Sequence, residues 1–350
     1  MKNVRIIISI LALTAIVSTS LSVGLAFARP TPHARVNATT KIGLAVIAEV
    51  NDRGFNSLAY EGLRLAKSQL HVQGSYTVTA QGGDYAAALN EFINQHDNLI
   101  VAVGFLWSNA LYTVAKQHPK THFAIVDGIP MNGNTPTPLP NVASLFFRSE
   151  QPGYLVGVVA GLMEKDKVGA AKHNTIGMLG AIPLPFITDQ MCGYLEGAQS
   201  VDKSVTVLSD FAGSFTDPST GTAIGQKQIA KHADILFGVA DASGLGYYKA
   251  AKDAGKYAIG FAADQDSLGP QMLTSAEVGV KPAVLQTITA QVHGKFKAGA
   301  HNYSLLNGGV GYATDHMHHV TTKIKNYVAG IEKKVESGKI PVNPNCTLPQ

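Results

Sequence analysis

Residues 42–48 read IGLAVIA and residues 57–70 read SLAYEGLRLAKSQL. The first stretch is apolar without alternation, so a strand there would be covered on both faces. The second repeats its apolar residues at helical spacing. A strand buried on both faces and followed by a helix is the unit of a parallel sheet, because parallel neighbours need a crossover between them. The unit recurs. LIVAVGF at 99–105 precedes a helical pattern over 109–116, and FAIV follows at 123–126. In the second half, strand-like runs at 175–179, 205–208, 235–240 (ILFGVA) and 257–261 (YAIGF) alternate with helical patterns at 188–199, 222–231 and 247–253. The spacing predicts an α/β protein with doubly wound parallel sheets.

Between the two series lie a proline-containing stretch at 136–140, a strand-like run at 142–147 and a long apolar helix over 154–164. A lobe boundary is therefore expected near Ser149. A helix at 281–296 is expected to return to the first lobe, and a last amphipathic helix at 320–338 to the second. The expected organisation is a signal peptide at 1–28 and a flexible leader at 29–40. The first lobe takes 41–149 plus about 275–310, the second 150–274 plus about 311–343, and a tail fills 344–350.

The chain has 350 residues, 45% hydrophobic and only 15% charged, which excludes a disordered polymer. One apolar stretch, 6–28, is long enough to matter to a membrane, which excludes a polytopic membrane protein. Net charge is +4 with no basic face in view, so nucleic acid is not an expected partner. Lys2 and Arg5, the apolar core at 6–17 and an A-x-A site at 26–28 read as a secretory signal. An uncleaved anchor is the other reading of that segment. No cysteine lies near it, so the expectation is export to the periplasm or cell surface without a lipid-anchor cysteine. Cys192 and Cys346 are the two cysteines, outside any C-x-x-C motif. They either pair or stay buried and free; in an oxidising compartment the expectation is one disulfide tying the tail to the second lobe.

In open parallel sheets, ligands bind beyond the carboxyl ends of the strands. Those junctions hold Asp52, Phe55 and Asn56, then Trp107, Asp127 and Leu184. Later ones hold Phe215, Asp217, Asp241, Asp264 and Gln265. The set is aromatic and acidic with almost no Lys or Arg, which suits an uncharged or cationic flat ring bearing N–H or O–H donors and does not suit phosphate. Junction aspartates also cap helices, and Trp107 or Phe237 fits a core equally well. No nucleophile elbow, P-loop or dinucleotide fingerprint is present, so neither an enzyme nor a cofactor is expected. DHMHH at 315–319 has ligand-like spacing but reads as a solvated loop, and no metal is expected.

Several junctions carry longer motifs: DRGFNSLAYEGL at 52–63, FAIVD at 123–127, FFRSEQPGYLVGVVAG at 146–161 and GSFTDPSTG at 213–221. GVADASGLG at 238–246, YAIGFAADQ at 257–265, LTS at 273–275 and SGKIPV at 337–342 follow in order. The sequence resembles the basic membrane protein family of ABC-transporter substrate-binding proteins, the purine-nucleoside-receptor type. The resemblance implies a type I periplasmic-binding-protein fold, two lobes joined by three crossings. It implies a monomer that captures a small, purine-like molecule in the cleft and delivers it to a membrane permease. A sensor that presents its ligand to a membrane receptor is the alternative. Carried over residue by residue, Phe55 would stack on the base and Asn56 would hydrogen-bond it. Asp127 would accept from ring N–H groups, Phe237 would form the second aromatic wall, and Leu184 would line the pocket. Asp52, Trp107, Asp241, Gly244 and Asp264 complete the expected site. The sugar half departs from the family pattern: IGVDxDQ is IGFAADQ here, with Ala262 in place of the ribose-gripping Asp. A family Lys is Val278, and the AAGGTG turn is VADASG, which introduces Asp241.

Overall fold

Uninterrupted apolar runs become strands buried on both sides. The computed structural model describes residues 39–349. The expected signal peptide and all but the last two residues of the leader lie outside them. The first series comprises β1 (Lys41–Ile47), α1 (Phe55–Leu70), β2 (Gln73–Thr79), α2 (Tyr85–Asn94), β3 (Leu99–Val103), α3 (Ser108–Gln117) and β4 (His122–Val126). A two-strand hairpin, β5 (Met131–Asn132) and β6 (Thr135–Pro136), leads to β7 (Val142–Phe147). The second series is α4 (Glu150–Lys165), β8 (Thr175–Gly180), α5 (Pro185–Val201), β9 (Thr206–Phe211), α6 (Pro218–Ala230), β10 (Ile235–Val239), α7 (Asp241–Asp253) and β11 (Tyr257–Ala262). The chain ends with β12 (Met272–Val278), α8 (Val280–Val292), β13 (Gly299–Tyr303), β14 (Val310–Tyr312) and α9 (Thr322–Glu336).

Two six-stranded sheets result, in the orders β13-β7-β4-β3-β1-β2 and β14-β12-β11-β10-β8-β9. All pairings in the first are parallel. In the second, only β14 runs antiparallel, against β12. The chain passes from the first sheet to the second between β7 and α4, and returns between β12 and α8, which packs on α1. It passes over a third time between β13 and β14. Because β12 continues to Val278, the return falls at Gly279 rather than near residue 275.

Local chemistry sets the helix starts around the cleft. The Asp52 carboxylate accepts from the backbone N–H groups of Gly54, Asn56 and Ser57 at 2.8, 3.0 and 3.0 Å, satisfying orphan donors at the start of α1. Asp217, a junction residue, caps α6 through Thr220 N–H at 3.0 Å. Helices α4 and α5 meet along glycines. A Cβ on Gly153 or Gly157 would collide with the carbonyl oxygens of Gln190 or Tyr194, and one on Gly193 or Gly197 with those of Glu150 or Tyr154.

Cys192 on α5 is bonded to Cys346 in the tail, with Cα atoms 5.5 Å apart. Nearby, Asn343 N–H donates to Glu196 on α5 at 3.0 Å. The bridge closes a loop of 154 residues, and chain-entropy reasoning sets an upper limit of about 5 kcal/mol on its stabilisation. Reduction is expected to lower the melting temperature by about 5–15 °C. Calorimetry with and without reductant checks this; an unchanged melting temperature in protein shown by thiol alkylation to be reduced would refute it.

Candidate ligand-binding site

The carboxyl ends of both sheets face each other across a cleft of about 790 Å³, counting its open mouth. From the first lobe, Glu49 and Asp52 follow β1, Phe55 and Asn56 open α1, and Gln81 follows β2. Gly104, Phe105 and Leu106 follow β3, and Asp127 follows β4. The second lobe contributes Leu184, Phe186 and Ile187 after β8, Phe215 and Thr216 after β9, Val239 and Asp241 at the end of β10, and Phe261 on β11.

Phe55 is the centre of the aromatic wall. Its ring stacks on Phe261 of the opposite lobe with centroids 5.5 Å apart and planes 28° apart. Phe186 lies 6.4 Å away and Phe147 meets it edge-on at 6.5 Å. A planar ligand between two rings needs roughly 7 Å, twice the carbon contact distance of about 3.5 Å. The Phe55–Phe261 stack therefore closes on itself here. A flat ligand must part these rings or stack on one of their outer faces.

The charged groups of the lining are all acidic. Glu49, Asp52, Asp127 and Asp241 line the cleft, and among the described residues no Lys, Arg or His does. Asp127 is 5% exposed, and its backbone stands at φ 47°. Burial pushes its carboxyl up to about 8, opposed by the Phe147 backbone N–H and reinforced by Asp189 on α5. Its Oδ2 has no hydrogen-bond partner. Asp241 opens α7 at φ 42°, where the family pattern has glycine; Asp tolerates this left-handed region better than most residues. Burial raises its carboxyl well above the ordinary range, and facing Asp52 raises it further. Its Oδ1 is also unpartnered and lies against Gly54 of the other lobe. The carboxyl of Asp127 is raised in the folded protein. Its favourable neutral form is therefore fully available below the unfolded carboxylate range, and that contribution is lost as pH rises toward about 8.

Of the expected residues, Asp52, Phe55, Asn56, Asp127, Leu184 and Asp241 meet at this cleft. Asn56 gives its amide N–H to the Ile47 carbonyl at 2.9 Å, so that donor holds the end of β1. Four expected residues lie elsewhere. Trp107 is fully buried against Tyr85, 4.9 Å between centroids, because the single helical turn at Phe105–Trp107 turns the indole back toward α2 and α3. Phe237 is fully buried against Tyr194 at 4.8 Å, since it sits two residues short of the strand end. Gly244 lies inside α7, beside Tyr248. Asp264 lies beyond β11 outside the cleft, its carboxylate 2.6 Å from His316 Nδ1. Phe105, Phe186 and Phe261 replace these as aromatic lining. YAIGFAADQ contains Phe261 openly, but alternation alone does not say which ring of which strand reaches the cleft.

The DHMHH loop lies at the surface against acidic side chains: His316 Nδ1 is 2.6 Å from the Asp264 carboxylate, and His318 Nε2 is 3.6 Å from that of Asp266. Among the described residues no cluster of three or more His, Cys, Asp or Glu is placed to hold a metal. Nor is any helix among them long and apolar enough to cross a membrane.

The profile of Bmp, described as ABC transporter substrate-binding protein PnrA-like, matches residues 39–345. The nucleoside-binding protein BmpA of a Lactococcus lactis ABC transporter is 30% identical over 329 residues, 87% of this chain and 89% of its own. An uncharacterized lipoprotein of Pyrococcus furiosus is 31% identical over 287 residues, 78% of this chain and 70% of its own. Among solved structures, an ABC-transporter solute-binding protein of Aeropyrum pernix K1 superposes with a TM-score of 0.78 at 22% identity, covering 86% of this chain and 92% of that one. That likeness shows the type I periplasmic-binding-protein fold. With a profile match spanning nearly the whole described chain, the protein belongs to the Bmp family of PnrA-like, extracytoplasmic ABC transporter substrate-binding proteins.

Proposed function

We propose that the cleft captures a flat nitrogen heterocycle of the nucleobase type and that the loaded protein delivers it to an ABC permease in the membrane. The observation that carries this reading is Phe55 at the centre of an aromatic wall, with buried Asp127 beside it as a hydrogen-bonding group for ring nitrogens. The name of the Lactococcus relative, a nucleoside-binding protein, supports the ligand class. The ribose half has less support. Ala262, in the place of the family's sugar-gripping Asp, is 1% exposed at φ 68°, and Val278, in the place of the family Lys, is 3% exposed. Neither lines the cleft. Losing a charged acceptor and a charged donor removes hydrogen bonds worth about 1.5–3 kcal/mol each.

Adenosine and guanosine are accordingly expected to bind no better than adenine and guanine. A thermal-shift screen of bases, nucleosides and other ring compounds finds binders through native-state stabilisation, and calorimetry then compares each base with its nucleoside. Nucleosides binding a hundredfold tighter would reverse this reading and make Asp241 the first candidate for a replacement sugar acceptor.

A further inference from the structure

We propose that the ring captured in this cleft carries a positive charge. The proposal rests on the reading of the cleft as a ring-binding site and deepens it. Four acidic side chains line the cleft, Glu49, Asp52, Asp127 and Asp241, with no basic side chain among the described residues to balance them. Closure brings carboxyl groups together from opposite lobes. Asp241 on α7 lies against the Asp52–Gly54 turn before α1, and Asp189 on α5 faces Asp127 after β4. Arg148, whose charge acts on Asp189, is already paired with Glu150. Asp52 accepts from three backbone N–H groups at a helix start. Asp241 opposite it has Tyr248 as its other titratable neighbour and no donor on Oδ1.

Two buried oxygens, Asp127 Oδ2 and Asp241 Oδ1, are therefore left without partners in a cleft whose ionisable lining groups are all acidic. A neutral ring with N–H donors would satisfy the oxygens and supply no counter-charge for their ionised forms. A cationic ring supplies both, and it gains further from the faces of Phe55, Phe186 and Phe261 through cation–π attraction, strongest where water is excluded. The two alternatives differ in their dependence on pH. With an empty cleft the raised carboxyls hold protons near neutrality. A cation favours their ionised forms and expels those protons, so its affinity rises with pH across the range in which Asp127 and Asp241 ionise. Asp52, Asp189, Glu49 and Glu150 add to this field, and Arg148 opposes it. A neutral ring without N–H donors, such as 4-methylquinoline, gains nothing from ionisation.

The test uses matched pairs with the same ring and the same heavy atoms, in which moving one methyl group onto a ring nitrogen makes one member a cation. N-methylquinolinium is compared with 4-methylquinoline, and 1,9-dimethyladeninium with 6-methylamino-9-methylpurine, by calorimetry on the oxidised protein at neutral pH. The expected result is that each cation binds at least tenfold tighter than its neutral partner compound, and that N-methylquinolinium binds more tightly as pH rises from about 6 to about 8.5. Asp241→Asn and Asp127→Asn, checked for folding by melting temperature, are each expected to shrink the preference to less than threefold. Neutral partner compounds binding as tightly as the cations in the unaltered protein would overturn the proposal and leave ring capture standing. Failure of every ring, charged or neutral, would overturn both.

Discussion

Phe261→Ala and Phe55→Ala are each expected to weaken binding of a ring ligand at least tenfold, while Phe237→Leu lowers stability and leaves affinity within twofold. A stacked base–aromatic contact is worth about 1–3 kcal/mol by truncation, and tenfold is about 1.4 kcal/mol. Phe55 and Phe261 face each other across the cleft, whereas Phe237 is closed into the second lobe against Tyr194. Phe55 is also part of the core cluster, so its truncation carries a folding cost of about 3–5 kcal/mol. Phe55→Leu separates the two effects, since it keeps most of the volume and removes the π face. Asp127→Ala belongs to the same experiment and is expected to cost at least tenfold, through loss of the buried acceptor at the end of β4. Folded Phe55 and Phe261 variants with unaltered affinity would place the ligand elsewhere.

The contrast between Phe237 and Phe261 shows where reading from residues reaches its limit. Central strands such as β3 and β10 are buried at every position, and this makes them visible as continuous apolar runs. The same property hides which of their side chains reaches the cleft, because no polar alternation marks a face. Position along the strand decides it: Val239 at the end of β10 lines the site and Phe237 does not. Trp107 fails for a related reason. The turn after β3 presents Phe105 and Leu106 to the cleft and buries the next side chain on the other side. Edge strands carry the opposite difficulty. β2 (QGSYTVT) and β13 (GAHNY) are polar and partly exposed, so they have no apolar run to announce them and become strands through pairing with β1 and β7. The acidic character of the cleft was legible from the junctions, since aspartates at strand ends need no tertiary information to be counted. The approach of Asp241 to the α1 turn was not, because it depends on how two lobes built from separate sheets close on each other.

Gly157→Val is expected to destabilise the protein by more than about 3 kcal/mol, seen as a fall in melting temperature of at least about 10 °C or as loss of soluble protein. Gly157 lies midway along α4, between Gly153 and Gly161 at four-residue spacing; these approach Gln190, Tyr194 and Ala198 on α5, whose own Gly193 and Gly197 approach Glu150 and Tyr154 on α4. At each of these contacts the neighbour is backbone: a Cβ on Gly157 would meet the Tyr194 carbonyl oxygen, and one on Gly197 the Tyr154 carbonyl oxygen. A side chain at such a seam can rotate aside, but a carbonyl locked in a helical hydrogen bond cannot. The two helices would have to separate. The consequence reaches the cleft, because α5 begins at Pro185 with Phe186 and Ile187 in the lining and carries Asp189 toward Asp127. A small displacement of α5 moves that wall of the site, so a variant that stays folded should also lose ring affinity. Gly330 on α9 is the control, since a Cβ there would meet nothing within 4 Å. Gly330→Ala is expected to be neutral or stabilising by about 0.5–1 kcal/mol, through helix propensity alone. Equal effects at the two positions would mean that intrinsic propensity, and not the close approach of α4 and α5, accounts for the glycines of this seam.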